Sequence, residues 1–359
     1  MSEIRGARRD GGSPGAASRG KVAFLQLEPT TRCNFICGFC SGRQMDQTDF
    51  AVEDFDRLLE AFPEVEHIEL QGEGEPLLHK GFFAMARRAR TRGIRLSMIT
   101  NGSLLSEERV AAILDLGMEA INVSVESPDE DEFRDIRGGS FAKVKAGIAR
   151  LLEARRARGL DRPLVGFAIT VLKHTVERLP EIAALYEELG MDGGATVQPL
   201  SRMDAFSKVY DEEVAAQFLD EADTQRLLRL RNSDPKVRAM TRQAAQSGHF
   251  YPEMHRRFPI LHGCPWVRGG LYVDRHGALL SCCMVKDAAA HGLGKLGITP
   301  VEAVLNRRRE IDAALSAGRP PEQCRGCAYY RPPEQREVLL QRMRARNLQR
   351  RRAEAAKPE

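Results

Sequence analysis

The sequence predicts an α/β fold: a partial (β/α)6 barrel, TIM-like but open, followed by a smaller cysteine-rich unit. Three observations carry this. Between Val22 and about Leu200, short apolar runs alternate with amphipathic helical stretches, the pattern of strand–helix units around a parallel sheet. Several of the runs are apolar on both faces, as strands covered by helices are. The eight cysteines fall into two groups with none between 41 and 263. Six strands are too few for a closed eight-stranded barrel, so a partial one is expected.

Residues 1–20 are rich in Gly, Ser and Arg and nearly free of large apolar groups, a composition that reads as disordered. Strands are then predicted at 22–28, 67–72, 94–100, 119–126, 164–171 and 195–200. Helices are predicted near 51–62, 79–92, 106–117, 140–157 and 175–190, giving a first unit over 21–200 with right-handed crossovers. Residues 201–255 are charged, helix-prone and cysteine-free, and are expected to form a helical bridge. Residues 256–335 hold a hairpin-like apolar segment, turns and five of the cysteines, the composition of a second, small domain. Residues 336–359 read as a basic helical tail.

Composition narrows the function. With 359 residues, 42% hydrophobic and 29% charged, the chain has an ordinary globular make-up. Its net charge of +4 is misleading: residues 336–359 carry +5 and the remainder −1, which does not describe a nucleic-acid-binding body. No apolar run is long enough to span a bilayer and no export signal follows the basic N-terminus, so no membrane partner is expected. The cytoplasm is then the expected compartment, where disulfides rarely persist, and grouped cysteines there point to metal or cluster ligation.

The first group, Cys33-Asn-Phe-Ile-Cys37-Gly-Phe-Cys40, follows the first strand directly and reads C-x3-C-x2-C. An iron–sulfur cube ordinarily takes four thiolates, and structural zinc also closes with four ligands. Three thiols with no fourth nearby imply a cube with one iron left open. Cys33, Cys37 and Cys40, with Phe39 before the last, resemble the radical S-adenosylmethionine (SAM) superfamily. A zinc knuckle or a redox set would share the thiols but not the features that follow in order.

Parallel α/β folds build sites at the C-terminal strand ends. There the second strand runs into Gln71-Gly72-Glu73-Gly74-Glu75-Pro76, which resembles the family's Gly-Gly-Glu element. The resemblance implies that Gly72 and Gly74 let the backbone approach SAM and that Glu75 is the carboxylate for its amino group, although the glycines here are not adjacent. Ser124 and Glu126 share a face by period-two alternation and resemble the strand end that holds the SAM ribose. Thr170 is assigned on the same basis to the methionine end and Gln198 to the adenine, with Asn101 and Arg137 as helpers. For each alone, a strand-end, turn or surface role is an equal reading.

Cys264, Cys282, Cys324 and Cys327 form the second set, with a G-x4-C stretch ending at Cys282 and a C-x2-C pair at the end. This is similar to the twitch domain, the short form of the SPASM domain, and implies one auxiliary [4Fe–4S] cluster with all irons ligated by protein. Four-thiolate zinc is the alternative. Cys283 is left over, either a small buried hydrophobe or a hydrogen-atom donor. On an extended strand adjacent residues face opposite ways, so with Cys282 on the cluster Cys283 is expected to face the core or solvent.

The resemblance covers about residues 22–330 and implies a [4Fe–4S] cluster with an open iron, SAM, and an electron donor such as a flavodoxin or ferredoxin. It implies hydrogen-atom abstraction from an unactivated carbon, with the auxiliary cluster as electron acceptor for an overall oxidation. Twenty N-terminal residues are too few for a leader-peptide recognition domain, so a small sugar- or cyclitol-like substrate is expected ahead of a ribosomally made peptide. A non-enzymatic iron–sulfur electron carrier explains the cysteines but not the Gly72–Pro76 and Ser124–Glu126 features.

Overall fold

Six strands are laid down in chain order: β1 (Phe24–Leu27), β2 (His67–Leu70), β3 (Arg95–Thr100), β4 (Ala120–Ser124), β5 (Leu164–Val171) and β6 (Gly194–Pro199). Each pairs in parallel with its sequential neighbour. Helices α1 (Val52–Ala61), α2 (Phe82–Thr91), α3 (Glu107–Leu116), α5 (Phe141–Ala157) and α6 (Leu179–Glu188) return the chain between strands. These elements lie within a few residues of the predicted ones. A further helix, α4 (Glu130–Arg137), was not predicted, because EDEFRDIR offers too few apolar positions for a helical period. Its ends are nonetheless written in the sequence: Asp129 caps the amides of Asp131 and Glu132, and Gly138 closes it at φ 67°. In this computed structural model, residues 21–203, 210–327 and 329–341 are described, and the N-terminal segment 1–20 and tail residues 342–359 lie outside them.

The sheet does not stop at the barrel. Its order is β6-β5-β4-β3-β2-β1-β7-β8-β9, where β7 (Gly270–Val273) pairs in parallel with β1. Strands β8 (Ala278–Leu280) and β9 (Gly294–Lys295) follow antiparallel. The cysteine-bearing segment therefore extends the barrel sheet from its β1 edge. Because β6 lies at the far edge, the chain must cross the open side to reach β7. Helices Glu221–Ser233, Pro235–Gln246 and Phe250–Arg257 make that crossing. Helix Pro235–Gln246 comes so close to β6 that a Cβ on Gly194 (φ 75°) would meet the Ala244 amide nitrogen at 2.1 Å, so only glycine fits there. Phe250 meets the rings of Phe24 and His67 edge-on.

Register decides which side chains share a face. Leu25, Ile68, Leu96, Ile121 and Val165 line up on the outer face, fully buried beneath helices. Gln26, Glu69, Ser97, Asn122 and Tyr272 line the inner face and are also buried. The expectation of strands apolar on both faces is thus corrected for the inner side. In a barrel the helices cover only the outside, and the lumen is left free to be polar.

Candidate active site

The loop leaving β1 is pinned before it reaches the cysteines. Thr31 Oγ1 donates to Asp46 O at 2.6 Å, and Thr30 bridges to Asp49. Further along, Ile36 N and Gly38 N donate to Arg137 O and Ile136 O at 3.0 and 3.1 Å, so the end of α4 grips the loop. Cys33 is exposed, Cys37 buried and Cys40 half-buried. Phe35 N and Asn101 Nδ2 approach Cys33 Sγ at 3.4 and 3.9 Å, and Arg137 Nη1 approaches Cys37 Sγ at 3.6 Å. Burial pushes all three thiols up, Cys40 to about 12 with the Glu73 carboxylate adding to the rise. Cys37 also feels Cys33, and Cys40 feels both Cys37 and Cys33, so the three share one site.

The two glutamates of the Gly72–Pro76 loop face different ways. Glu75 is buried, and its carboxylate accepts from Thr100 Oγ1 (2.8 Å), Asn101 N (2.7 Å) and Leu77 N (3.1 Å). A carboxylate has about four acceptor positions, so one is left for a ligand. Glu73 instead turns to the cysteine loop, accepting from Ser41 Oγ at 2.6 Å and from the Cys40 thiol at 3.8 Å, and it pairs with Lys286. The glycines are needed here: a Cβ on Gly74 would meet Thr30 O at 2.4 Å and one on Gly72 would meet Glu28 Cγ at 2.2 Å.

Ser124, Thr170 and Gln198 fall at the C-terminal ends of β4, β5 and β6, on the inner side by register, and Glu126 lies two residues past the end of β4. Glu126 is fully buried and engaged: Arg137 Nη2 donates to it at 2.6 Å and Arg137 Nε makes a second bond. Thr170 N donates to it at 3.4 Å. Arg137 stacks over Phe39, 5.7 Å from the ring centroid. Burial alone would lower the Arg137 pKa, but Glu126 and the nearby thiols raise it overall. Ser124 and Thr170 are half-buried and Gln198 is exposed.

In the second group, Cys264 feels Cys327, Cys282 feels Cys264 and Cys324, and Cys324 feels Cys264 and Cys327. The four are brought together although they span 64 positions of sequence. Burial pushes Cys264 to about 11 and Cys324 to about 12. Cys283 packs against the core cluster of Phe24, Phe250 and Trp266, as one expectation had it, but Cys282 packs against the same cluster, so the two do not face opposite ways. Strand β8 ends at Leu280 and residues 281–284 form a bend and turn, so neighbours need not face opposite sides. Cys283 faces Lys286, Glu73 and Tyr251, towards the first site. Tyr251 Oη in turn lies within hydrogen-bonding distance of Gln26 Oε1 and Gln71 Oε1 on the inner face, at 2.8 and 2.7 Å, with its one proton for either.

Sequence reasoning missed Glu73, Lys286, Tyr251 and Arg308. Glu73 was in view but lost to Glu75, which matches the motif. Lys286 and Tyr251 had no signal. Arg308 is wholly buried in helix Val301–Ser316 and donates to Trp266 O at 3.4 Å. Burial pulls its pKa down to about 10, against the nearby Cys264 and Asp312.

Do these residues fit iron–sulfur groups? Among the described residues, no three Cys, His, Asp or Glu side chains close on one ion-sized point. A cube spreads its ligands over separate irons, and thiols that share a site more loosely suit it. The donors aimed at Cys33 and Cys37 would support thiolates, as residues behind metal ligands do. The fit is good.

The class follows from the barrel and its cysteine loop. Residues 27–186 match the Radical SAM superfamily, so that stretch of the chain is a radical SAM domain. More particular likenesses come from individual proteins. The chain is 30% identical over 202 residues to the tungsten-containing aldehyde ferredoxin oxidoreductase cofactor-modifying protein of Pyrococcus furiosus, covering 54% of this chain and 56% of that one. It is 34% identical over 182 residues to the GTP 3',8-cyclase of Rhizobium leguminosarum, covering 48% and 50%. The chain thus spans about half the length of the curated relatives it matches. Among solved structures it resembles anSMEcpe with bound AdoMet (TM-score 0.62, 16% identity, 86% of each chain). It also resembles Streptococcus suis SuiB bound to S-adenosylmethionine (TM-score 0.61, 15% identity, 79% of this chain and 65% of that one). At such identities the likeness is one of fold. No described helix is long and apolar enough to cross a membrane.

Proposed function

We propose that the chain is a radical SAM enzyme that dehydrogenates a small sugar- or cyclitol-like substrate inside the barrel. In this reading Cys33, Cys37 and Cys40 hold a [4Fe–4S] cluster with an open iron, and Cys264, Cys282, Cys324 and Cys327 hold an auxiliary [4Fe–4S] cluster. When bound, SAM and the reduced cluster supply a 5'-deoxyadenosyl radical that takes a hydrogen atom from an unactivated carbon. The chain's own residues do the rest. Glu75 offers its remaining acceptor position to the SAM ammonium, Ser124, Thr170 and Gln198 line the strand ends for its other groups, and Arg137 with Asn101 steadies the cysteine sulfurs. A flavodoxin or ferredoxin would deliver the electron.

The observation that carries this reading is Glu73, which touches Cys40 on one side and Lys286, four residues past Cys282, on the other. This contact supports a reading in which the two cysteine sets flank one lumen, whose buried Gln26, Glu69, Ser97 and Asn122 would suit a hydroxylated molecule better than an apolar one. A second reading, a maturase that crosslinks, oxidises or epimerises a ribosomally made peptide, is favoured by the fold likeness to SuiB in its complex with precursor peptide SuiA (TM-score 0.57, 16% identity).

The test is reductive SAM cleavage by anaerobically reconstituted protein. Formation of 5'-deoxyadenosine, lost in Cys33→Ala, is expected; none in either protein would leave an electron carrier. Turnover in deuterated water then separates the outcomes. Oxidation puts no solvent deuterium on the reacting carbon and survives Cys283→Ala. Deuterium there, lost in Cys283→Ala, would make Cys283 a hydrogen-atom donor and favour epimerisation.

A further inference from the structure

The inner face holds a run of buried ionisable groups that leads away from the cysteine sites. Glu69 is 1% exposed, in the middle of β2, and its Oε2 is hydrogen-bonded to Ser97 Oγ on β3. Ser97 Oγ lies 2.9 Å from His67 Nε2, and both residues are buried. His67 Nδ1 faces Glu253 Oε2 at 3.5 Å without a hydrogen bond to it. Glu253, on helix Phe250–Arg257, is the first of the four to reach solvent, with 22% of its side chain exposed, and it is held by both terminal nitrogens of Arg95. Around His67 also stand Glu119 and, from the segment before Phe250, His249.

We propose that Glu69, Ser97, His67 and Glu253 form a proton path from the barrel lumen to the surface at the N-terminal end of the strands. The two hydrogen bonds, Glu69–Ser97 and Ser97–His67, share one polarity when Glu69 is neutral and His67 carries its proton on Nδ1, and the His67–Glu253 gap is closed by a small side-chain shift. Glu69 O–H then points to Ser97 Oγ, Ser97 O–H to His67 Nε2, and His67 Nδ1–H to the Glu253 carboxylate. Burial keeps Glu69 neutral, and no other role for a carboxyl in this position is apparent from its contacts. Once His67 Nδ1 closes on Glu253, a proton taken up by the other oxygen of Glu69 moves one O–H or N–H bond at each link and leaves one proton on Glu253, where water removes it.

Its use in turnover rests on the proposed dehydrogenation. A carbinol that has lost a hydrogen atom to the 5'-deoxyadenosyl radical becomes a carbonyl by giving one electron to the auxiliary iron–sulfur cluster and one proton to the protein. In a lumen closed to bulk water that proton needs a route, and this is one that spans the buried distance.

The test reads the path in the full-length chain by infrared spectroscopy near pH 6, between the ordinary glutamate range and the raised Glu69 value. A carbonyl stretch of a neutral carboxyl, absent from Glu69→Gln, is expected. On transfer to deuterated water the band shifts as O–H becomes O–D. Ser97→Ala and His67→Phe, each an independent break, should slow that shift by about tenfold or more, and Ser97→Thr, which keeps the hydroxyl, should not. Amide exchange along β2 and β3 in the same samples separates a broken relay from altered opening of the fold. A missing Glu69 band, an unslowed shift in both breaks, or a change matched by the amides overturns the path. None of these readouts requires SAM cleavage, so the path and the dehydrogenation reading fail separately.

Discussion

Lys286 and Glu73 form an ion pair across 213 residues of sequence, with 12% and 18% of their side chains exposed. Burial by itself would pull the Lys286 pKa down, but Glu73 outweighs it and the net shift is upward. Glu73 likewise is lowered overall because Lys286 and Ser41 overcome its burial. The pair joins the C-terminal cysteine segment to the loop that touches Cys40, and several outcomes follow from this and neighbouring contacts.

Removing one partner strips a buried charge of its principal counter-charge. Glu73→Gln is expected to lower stability by about 3 kcal/mol, while Glu73→Gln with Lys286→Met should recover much of the loss. Urea denaturation of the three proteins checks this.

If both cysteine sets hold cubes, anaerobic reconstitution should give about eight irons and eight sulfides per chain. Changing Cys33, Cys37 and Cys40 together to Ala should remove about half of each. Zinc in place of iron, in protein made with ample iron, would refute the assignment.

Arg137 holds Glu126 and donates to Cys37 Sγ, so it would act on the proposed cluster through the Cys37 sulfur. Arg137→Gln should release iron to a chelator about tenfold faster than the parent, and Arg137→Lys should give an intermediate rate. Equal rates would assign Arg137 to structure alone.

Glu69 has its pKa raised to about 8 by burial, against the Ser97 bond. The folded state then binds a proton that the unfolded state has released, between about pH 4.5 and 8. Stability from this group is present in full below the unfolded value and is lost as pH rises through the folded one. Glu69→Gln should flatten the decline in unfolding free energy across that window, relative to the parent protein, when denaturation is measured at several pH values.

The sequence by itself determined the barrel's six strands and five of its helices, because period and caps are local properties that survive without tertiary context. It also placed Cys33, Cys37 and Cys40 together, since eight residues of loop cannot carry them far apart. Only the tertiary structure decided that β7 would extend the sheet beside β1, that the lumen would be polar, and that Glu73 rather than Glu75 would face Cys40. The direction of Cys283 belongs with these. Alternation assigns faces only along extended backbone, and residues 281–284 turn. In loops and turns the partners that orient a side chain come from distant sequence, as Lys286 does for Glu73, and local pattern carries no trace of them.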